Sequence, residues 1–376
     1  MESAVSQEVS LLSRRFQDFL LTDESYQRLH TLQVKGWSTP GGDAHFQERQ
    51  SRAVSLDKKA KWRMFNMMRA IARQMDKETG AYTLAGDKPK VLDLCMAPGG
   101  FVAYFLERFP EGCADAVTLP VKEGGHQVLL PFGSRNNNVH VTFADVTMFA
   151  AELGVQSIPE EHPDKQKLLA RWPYSQHSYD LVICDGQALR TQNLAEYRKT
   201  CEQSRLFNSQ LVLALKKVRP RGTIIALLHK SHKWRTFSLL HMFSKFSDIQ
   251  LFKPEGFHAE KSSFYLVAKN VRPQSQDAID AIEKFAWSWS RGTFSDATGP
   301  SEDNDNDVSD EGEMKLLLEE FGYKFISHAK PVWEIQATAL AHARWMSDDS
   351  ACGRGSSFVG RGAKGESTKL EGGTIS

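Results

Sequence analysis

Apolar positions recur with two different periods along the chain. Between residues 60 and 75, Trp62, Phe65, Met68, Ile71, Ala72 and Met75 fall at helical spacing. Residues 1–80 as a whole read as helical, until Gly80 and then Gly86-Asp87-Lys88-Pro89 break the pattern. From 91 to 270 short apolar runs alternate with longer helical segments. Strands are expected at VLDLCM (91–96), AVTLP (116–120), VHVTFADV (139–146), YDLVICDG (179–186), TIIALLH (223–229), DIQLFKP (248–254) and SSFYLVAKN (262–270). Helices are expected at 101–109, 193–218 and 236–246, with a turn at Arg219-Pro220-Arg221-Gly222. This alternation predicts an α/β domain with a mostly parallel seven-stranded sheet and helices on both faces. Only a few residues join the last two strands, too few for a parallel crossover, so the final strand is expected to be antiparallel.

The pattern divides the chain into a helical N-terminal extension (1–84), the α/β domain (85–272), a short helical segment (273–295), an acidic linker (296–313), a second helical segment (314–346) and a Gly/Ser-rich tail (347–376). The linker is expected to be disordered, being highly charged and poor in apolar residues, and the tail flexible. Charged residues make up 25% of the 376 and apolar residues 41%, ordinary for a soluble globular protein. The first twenty residues lack a basic stretch followed by an apolar core, so no signal peptide is expected. No run of 18 apolar residues occurs, so neither is a membrane span. The five cysteines form no CxxC pair and no Cys/His cluster with zinc spacing. No metal site is expected, and a reducing, intracellular compartment, nucleus or cytoplasm, is the reading. The oligomeric state is left open.

Net charge is +1, but residues 296–320 carry ten acids and one base, a net −9 that leaves +10 for the remainder. The body is mildly basic, and nucleic acid is the partner its basic stretches suggest. Residues 216–235 hold seven Lys/Arg and no acid, with Trp234 among them to stack on a base; residues 47–73 hold eight Lys/Arg against two acids. Ordinary surface charge is the alternative for both stretches.

The sharpest chemical signal is DLCMAPGGF (93–101). A strand ends at Asp93 and runs into the turn Ala97-Pro98-Gly99-Gly100. In an open parallel sheet, ligands bind beyond the carboxyl ends of the strands. There, Gly99 and Gly100 would omit side chains where a ligand meets the backbone, and Pro98 would stiffen the loop. The turn has neither GxGxxG nor GK[ST], which suits a nucleotide whose phosphates are not cradled.

DLCMAPGGF resembles the first motif of the FtsJ-like ribose 2′-O-methyltransferases, D-L-x-x-A-P-G-G-[FW]. FADVT (143–147), DLVICDG (180–186) and KPEGFHAEKSSFYLVAKN (253–270) are similar to later motifs of that family, in order, and the likeness spans roughly 60–272. The resemblance implies a Rossmann-like sheet that binds S-adenosylmethionine, with Asp93, Ala97, Pro98, Gly99, Gly100, Phe101, Asp145 and Asp185 at the cofactor. Asp145 would contact the adenine and Asp185 would lie beside the methyl donor. Read on their own, the APGG turn could be structural and Asp145 a helix cap, whereas a strand-end Asp185 without a role would be costly. The Trp and Met residues of 60–75 read as core.

The family's catalytic set is Lys-Asp-Lys-Glu, and only Asp185 matches. Asn66, Leu227 and Ser263 occupy the positions expected for the other three. His229 shares a strand face with Leu227 and could act as a base, and Lys230 has the reach to turn inward. Glu260 and Lys261 are further candidates. The bland alternative for 229–235 is a solvated basic loop. Three functions therefore stand: RNA ribose methylation, a silent cofactor- or RNA-binding protein, and methyl transfer to another acceptor.

Overall fold

The structure, a computed structural model, describes residues 4–38, 58–131, 137–189, 192–294 and 311–346. Its centre is a seven-stranded sheet: β1 (Lys90–Asp93), β2 (Cys113–Thr118), β3 (Val139–Phe143), β4 (Tyr179–Cys184), β5 (Val218–His229), β6 (Asp248–Phe252) and β7 (Ser263–Lys269). The order across it is β3-β2-β1-β4-β5-β7-β6. β1 to β5 are parallel and β7 runs antiparallel between β5 and β6. The hydrophobic pattern thus gave the right architecture, a Rossmann-like sheet with an antiparallel last strand. β4 is buried at every residue, as a central strand covered on both faces must be.

The helices are α1 (Ala4–Leu20), α2 (Glu24–Ser38), α3 (Lys58–Thr79), α4 (Gly100–Arg108), α5 (Lys165–Leu168), α6 (Glu202–Lys217), α7 (Trp234–Phe246), α8 (Gln276–Phe294) and α9 (Glu311–Ala341). They form two layers. On one face Phe65, Met68, Ile71 and Met75 of α3 and Phe101, Val102 and Phe105 of α4 pack on Val91, Leu181, Ile183, Ile225 and Val267. On the other face Leu92, Val182, Ile224, Ala226 and Leu266 meet α1, α2, α6, α7, α8 and α9 in one continuous core. The two terminal helical regions therefore share a layer. Tyr26 of α2 lies 5.1 Å from Trp333 of α9, and Phe16 of α1 packs edge-on against Trp234 at 5.3 Å.

Several expectations are corrected. Trp234 is 2% exposed and stacked on Phe237 at 4.7 Å, so it is core and no platform for a base. Trp62, read as core, is half exposed. The expected single helix at 193–218 is a short 3-10 turn (Glu196–Arg198) followed by α6. The turn at 219–222 lies inside β5: register jumps from Tyr179↔Val218 to Leu181↔Thr223, and the excursion is anchored by Arg219 Nη1 on Asp180 Oδ1 at 2.6 Å. Residues 311–313 belong to α9 and not to a linker; residues 296–310 and 347–376 lie outside those described. No described helix is long and apolar enough to cross a membrane.

Candidate cofactor and acceptor site

Beyond the carboxyl ends of β1 to β4 lies a cavity of about 190 Å³. Leu94, Cys95 and Ala97 of the β1 turn form one side, Thr118 and Leu119 another, and Ala144, Asp145 and Val146 a third. Met64, Met67, Met68 and Ile71 of α3 close it, with Asp185, Leu227 and Tyr265 at the far end. Periodicity had placed the α3 methionines in the core. They do face inward, but Met64 and Met67 are half-buried because the cavity wall is where they end.

The glycine turn has another physical reason than the one read from sequence. Gly99 adopts φ +106°, a left-handed conformation that suits glycine, and a Cβ there would come 3.1 Å from Leu130 Cβ. A Cβ on Gly100 would lie 2.5 Å from both Phe65 O and Met68 Cβ. Gly100 is thus bare so that α3 can approach the turn. Residues 125–130 fold over the turn, with Leu129 N donating to Pro98 O at 3.0 Å and His126 reaching the cavity. Of the residues 97–101, Ala97 alone lines the cavity, while Pro98, Gly99, Gly100 and Phe101 are buried behind it. The Ala97–Pro98 peptide is cis. No sequence signal marked residues 125–130.

Three carboxyls surround the turn. Asp93 is 1% exposed and does not reach the cavity wall; its Oδ1 accepts from Cys95 N at 3.2 Å and its Oδ2 has no partner. Burial, with a smaller push from Asp185, moves its pKa up to about 8. Asp185 is half-buried at the cavity end, accepts from the Tyr265 hydroxyl at 3.1 Å, and is moved up to about 7 by desolvation. Asp145 has two places in the structure. It caps the 3-10 turn Val146–Met148 through Thr147 N at 3.0 Å, and it lines the cavity. Burial alone would raise its pKa, but Arg198, bonded to Oδ2 at 2.6 Å, and the Thr147 donors hold it below the usual value.

A second cavity, of about 390 Å³, adjoins the first and shares Gln187 and Leu227 with it. His229, Lys230, Lys233 and Arg235 line it. No Lys or Arg lines the first cavity among the described residues, so acids and bases are sorted into neighbouring compartments. His229 faces Ser263 across the β5–β7 ladder, two residues beyond the Leu227–Tyr265 pair, which keeps His229 and Leu227 on one face. Its Nε2 lies 2.9 Å from Gln187 Oε1, which also accepts from Gln203 at 3.3 Å. An amide oxygen only accepts, so Nε2 carries the proton and Nδ1 keeps a free lone pair. Desolvation and then the charges of Lys261, Lys230 and Lys253 push the ring down to about 4. The ring is neutral at physiological pH.

The other candidates stand elsewhere. Asn66 is exposed and lines neither cavity. Glu260 turns to α9 and the turn after it, accepting from Trp345 Nε1 at 3.1 Å and, through its carbonyl, from Gln336 of α9 at 3.3 Å; Glu260 and Lys261 line neither cavity. The basic run 216–235 is split by the length of β5. Lys216, Lys217, Arg219 and Arg221 lie at its start, and only Lys230, Lys233 and Arg235 are at the site. In the other basic stretch, Arg69 and Arg73 both pair with Glu107, and residues 47–57 lie outside those described.

The C-terminal helices support both compartments, which the sequence did not disclose. Arg198 bridges Asp145 and Glu202, Glu202 holds Arg205, and Arg205 donates to Thr293 of α8 at 3.0 Å. Trp289 of α8 donates to Thr147 O at 3.1 Å. Beside the second cavity Trp333 of α9 donates to Ser231 Oγ at 2.9 Å. Lys253, 2% exposed, ties the 253–263 loop together by donating to the carbonyls of His258, Lys261 and Ser263.

The profile of the FtsJ-like methyltransferase family matches residues 72–271, just over half of the chain. No curated protein matches it. Among solved structures, a ribosomal RNA methyltransferase of Plasmodium falciparum aligns at 15% identity over 53% of this chain and 96% of its own, with a TM-score of 0.34. Human methyltransferase-like protein 13, solved with SAH, aligns at 15% over 60% and 91%, TM-score 0.33. An rRNA methylase of Streptococcus thermophilus aligns at 11% over 54% and 97%, TM-score 0.31.

Proposed function

The chain belongs to the FtsJ-like methyltransferase family, and on that premise we propose that it transfers a methyl group from S-adenosylmethionine to a ribose hydroxyl of RNA. One observation carries the reading. The acid-lined cavity at the strand ends opens beside a cleft bearing His229, Lys230, Lys233 and Arg235, and the two share Gln187 and Leu227. The donor is a cation and the acceptor a polyanion, so this sorting of charge suits both.

The cavity residues fit the donor. Asp185 and the Arg-paired carboxylates of Asp145 and Glu202 supply the polar wall, and Met64, Met67 and Leu206 the apolar one. When bound, the donor supplies an electrophilic methyl group on a sulfonium. Asp185, held by Tyr265, favours that positive charge at the cavity end. Gln187 fixes the His229 tautomer, so that Nδ1 would take the acceptor hydroxyl proton while the methyl group exchanges its bond to sulfur for one to the acceptor oxygen. Lys230, Lys233 and Arg235 hold the adjoining phosphates.

A second reading, binding of donor and RNA without transfer, is favoured by Leu227 and Ser263 at the family's Lys and Glu positions. Labelled methyl transfer into RNA, followed by digestion to nucleosides, separates the two. Ribose-methylated nucleosides that disappear in Asp185→Ala support the enzyme. Donor binding with no transfer into any fraction supports the silent binder. Wild-type transfer by Asp185→Ala would remove the role given to that carboxyl.

A further inference from the structure

We propose that Cys113, Asp115 and His140 form a binding site for a divalent, zinc-type cation at the end of the sheet remote from the cavities. Cys113 and Asp115 are two residues apart on β2 and so project from one face. His140 is the register partner of Asp115 on β3 and projects from that face too. Strand geometry, not sequence spacing, therefore assembles the donors, and a 27-residue gap hides them from any motif.

The three donor atoms lie within 4.8 Å of one another. His140 Nδ1 is 2.8 Å from Asp115 Oδ1 and 3.9 Å from Cys113 Sγ. Tetrahedral zinc, with bonds of about 2.0–2.3 Å, sets its donors roughly 3–4 Å apart, so only a small contraction is needed. Thiolate, imidazole and carboxylate together are a donor set that zinc accepts. The second oxygen of Asp115 is already held, by His177 Nδ1 at 2.6 Å and Tyr179 OH at 2.8 Å. Oδ1 meets His140 Nδ1, itself one of the three donor atoms, and binding replaces that hydrogen bond with a bond from each to the cation, in the manner of a ligand oriented by outer partners.

Charge supplies an independent reason. Asp115 is 1% exposed, and its hydrogen-bond donors are two imidazoles and a phenol. A buried carboxylate needs a compensating cation, and the metal provides one. His140 is half exposed and gives an entry path from solvent. On binding, the Cys113 thiol releases its proton to water, and the His140 proton resides on Nε2 so that Nδ1 can coordinate. Solvent takes the fourth position. The ion clamps the edge strand β3 to β2 and, through Asp115, to the segment carrying His177 and Tyr179. Its role is structural, and it stands apart from the proposed methyl transfer.

Cobalt(II) added to the full-length protein tests the site. The expected result is one equivalent bound with a thiolate-to-cobalt band in the near ultraviolet, lost in Cys113→Ser and weakened in His140→Asn, and a higher melting temperature with zinc. Should the variants fail to fold, alkylation of the wild type decides: zinc should slow modification of Cys113, mapped by mass spectrometry. Absence of the thiolate band and no protection of Cys113 would overturn the proposal, leaving the cluster a hydrogen-bonded network. Donor affinity should be the same with and without zinc; a metal-dependent donor affinity would overturn the purely structural role.

Discussion

The Tyr265 hydroxyl donates to Asp185 Oδ1 across 3.1 Å, yet the carboxyl still titrates at about 7 because burial outweighs that bond. A bound cation favours the ionised form. Donor binding should therefore weaken as pH falls below about 7, approaching tenfold per unit. Calorimetry across that range should show the slope in wild type and a weaker, flatter profile in Asp185→Asn. Equal slopes in both would mean that the donor's charge lies elsewhere.

Asp93 should make the empty protein less stable as pH rises. Its folded pKa, about 8, stands above the ordinary 3.8, so the folded state holds the proton more tightly than the unfolded one. The associated stability is full below about pH 4 and is lost as pH climbs towards 8. At about 1.4 kcal/mol per unit the loss amounts to several kcal/mol. Asp93→Asn should lack this slope in urea titrations and be more stable than wild type at pH 8. Parallel slopes for wild type and variant would contradict the assignment.

Gly100→Ala should destabilise by about 1–3 kcal/mol, the usual penalty for overpacking. Its Cβ would meet the backbone oxygen of Phe65 at 2.5 Å, and backbone cannot rotate away. The loss should appear in thermal melts of the protein without donor. If melting were unchanged and only donor affinity fell, the glycine would be serving the ligand after all.

Trp234→Ala should cost roughly 3–5 kcal/mol of stability, as for other buried aromatics, because the ring is stacked on Phe237 and touches Phe16. At matched folded concentration its RNA affinity should equal that of wild type. Lys233→Ala and Arg235→Ala should do the reverse: melting temperatures near wild type, weaker RNA binding and a smaller dependence on salt. Filter binding at two salt concentrations distinguishes them.

The sheet was legible because its strands are apolar runs bounded by turn residues, and because β6 and β7 are joined too closely to run parallel. Asp185 and Asp145 were legible as acids just beyond strand ends. What stayed hidden depends on contacts distant in sequence. Gly100 gives no hint that its neighbour is Phe65 O, and Trp234 sits among bases but turns away from them into α1 and α7. Ser231 and Glu260 look like solvated loop residues until α9 is packed against them. Strand ends could be read locally, whereas the walls and lids of the cavities come from helices that the chain adds before and after the sheet.

The 2.5 Å that separates an imagined Gly100 side chain from the backbone of α3 has a bearing on engineering. The APGG turn is one half of a fitted pair, and its shape is complementary to a helix some thirty residues upstream. Transplanting residues 93–101 into another sheet would carry the recognisable letters but leave behind the surface that gives them their form. A portable module would begin at Lys58, so that the methionine wall and the turn travel together.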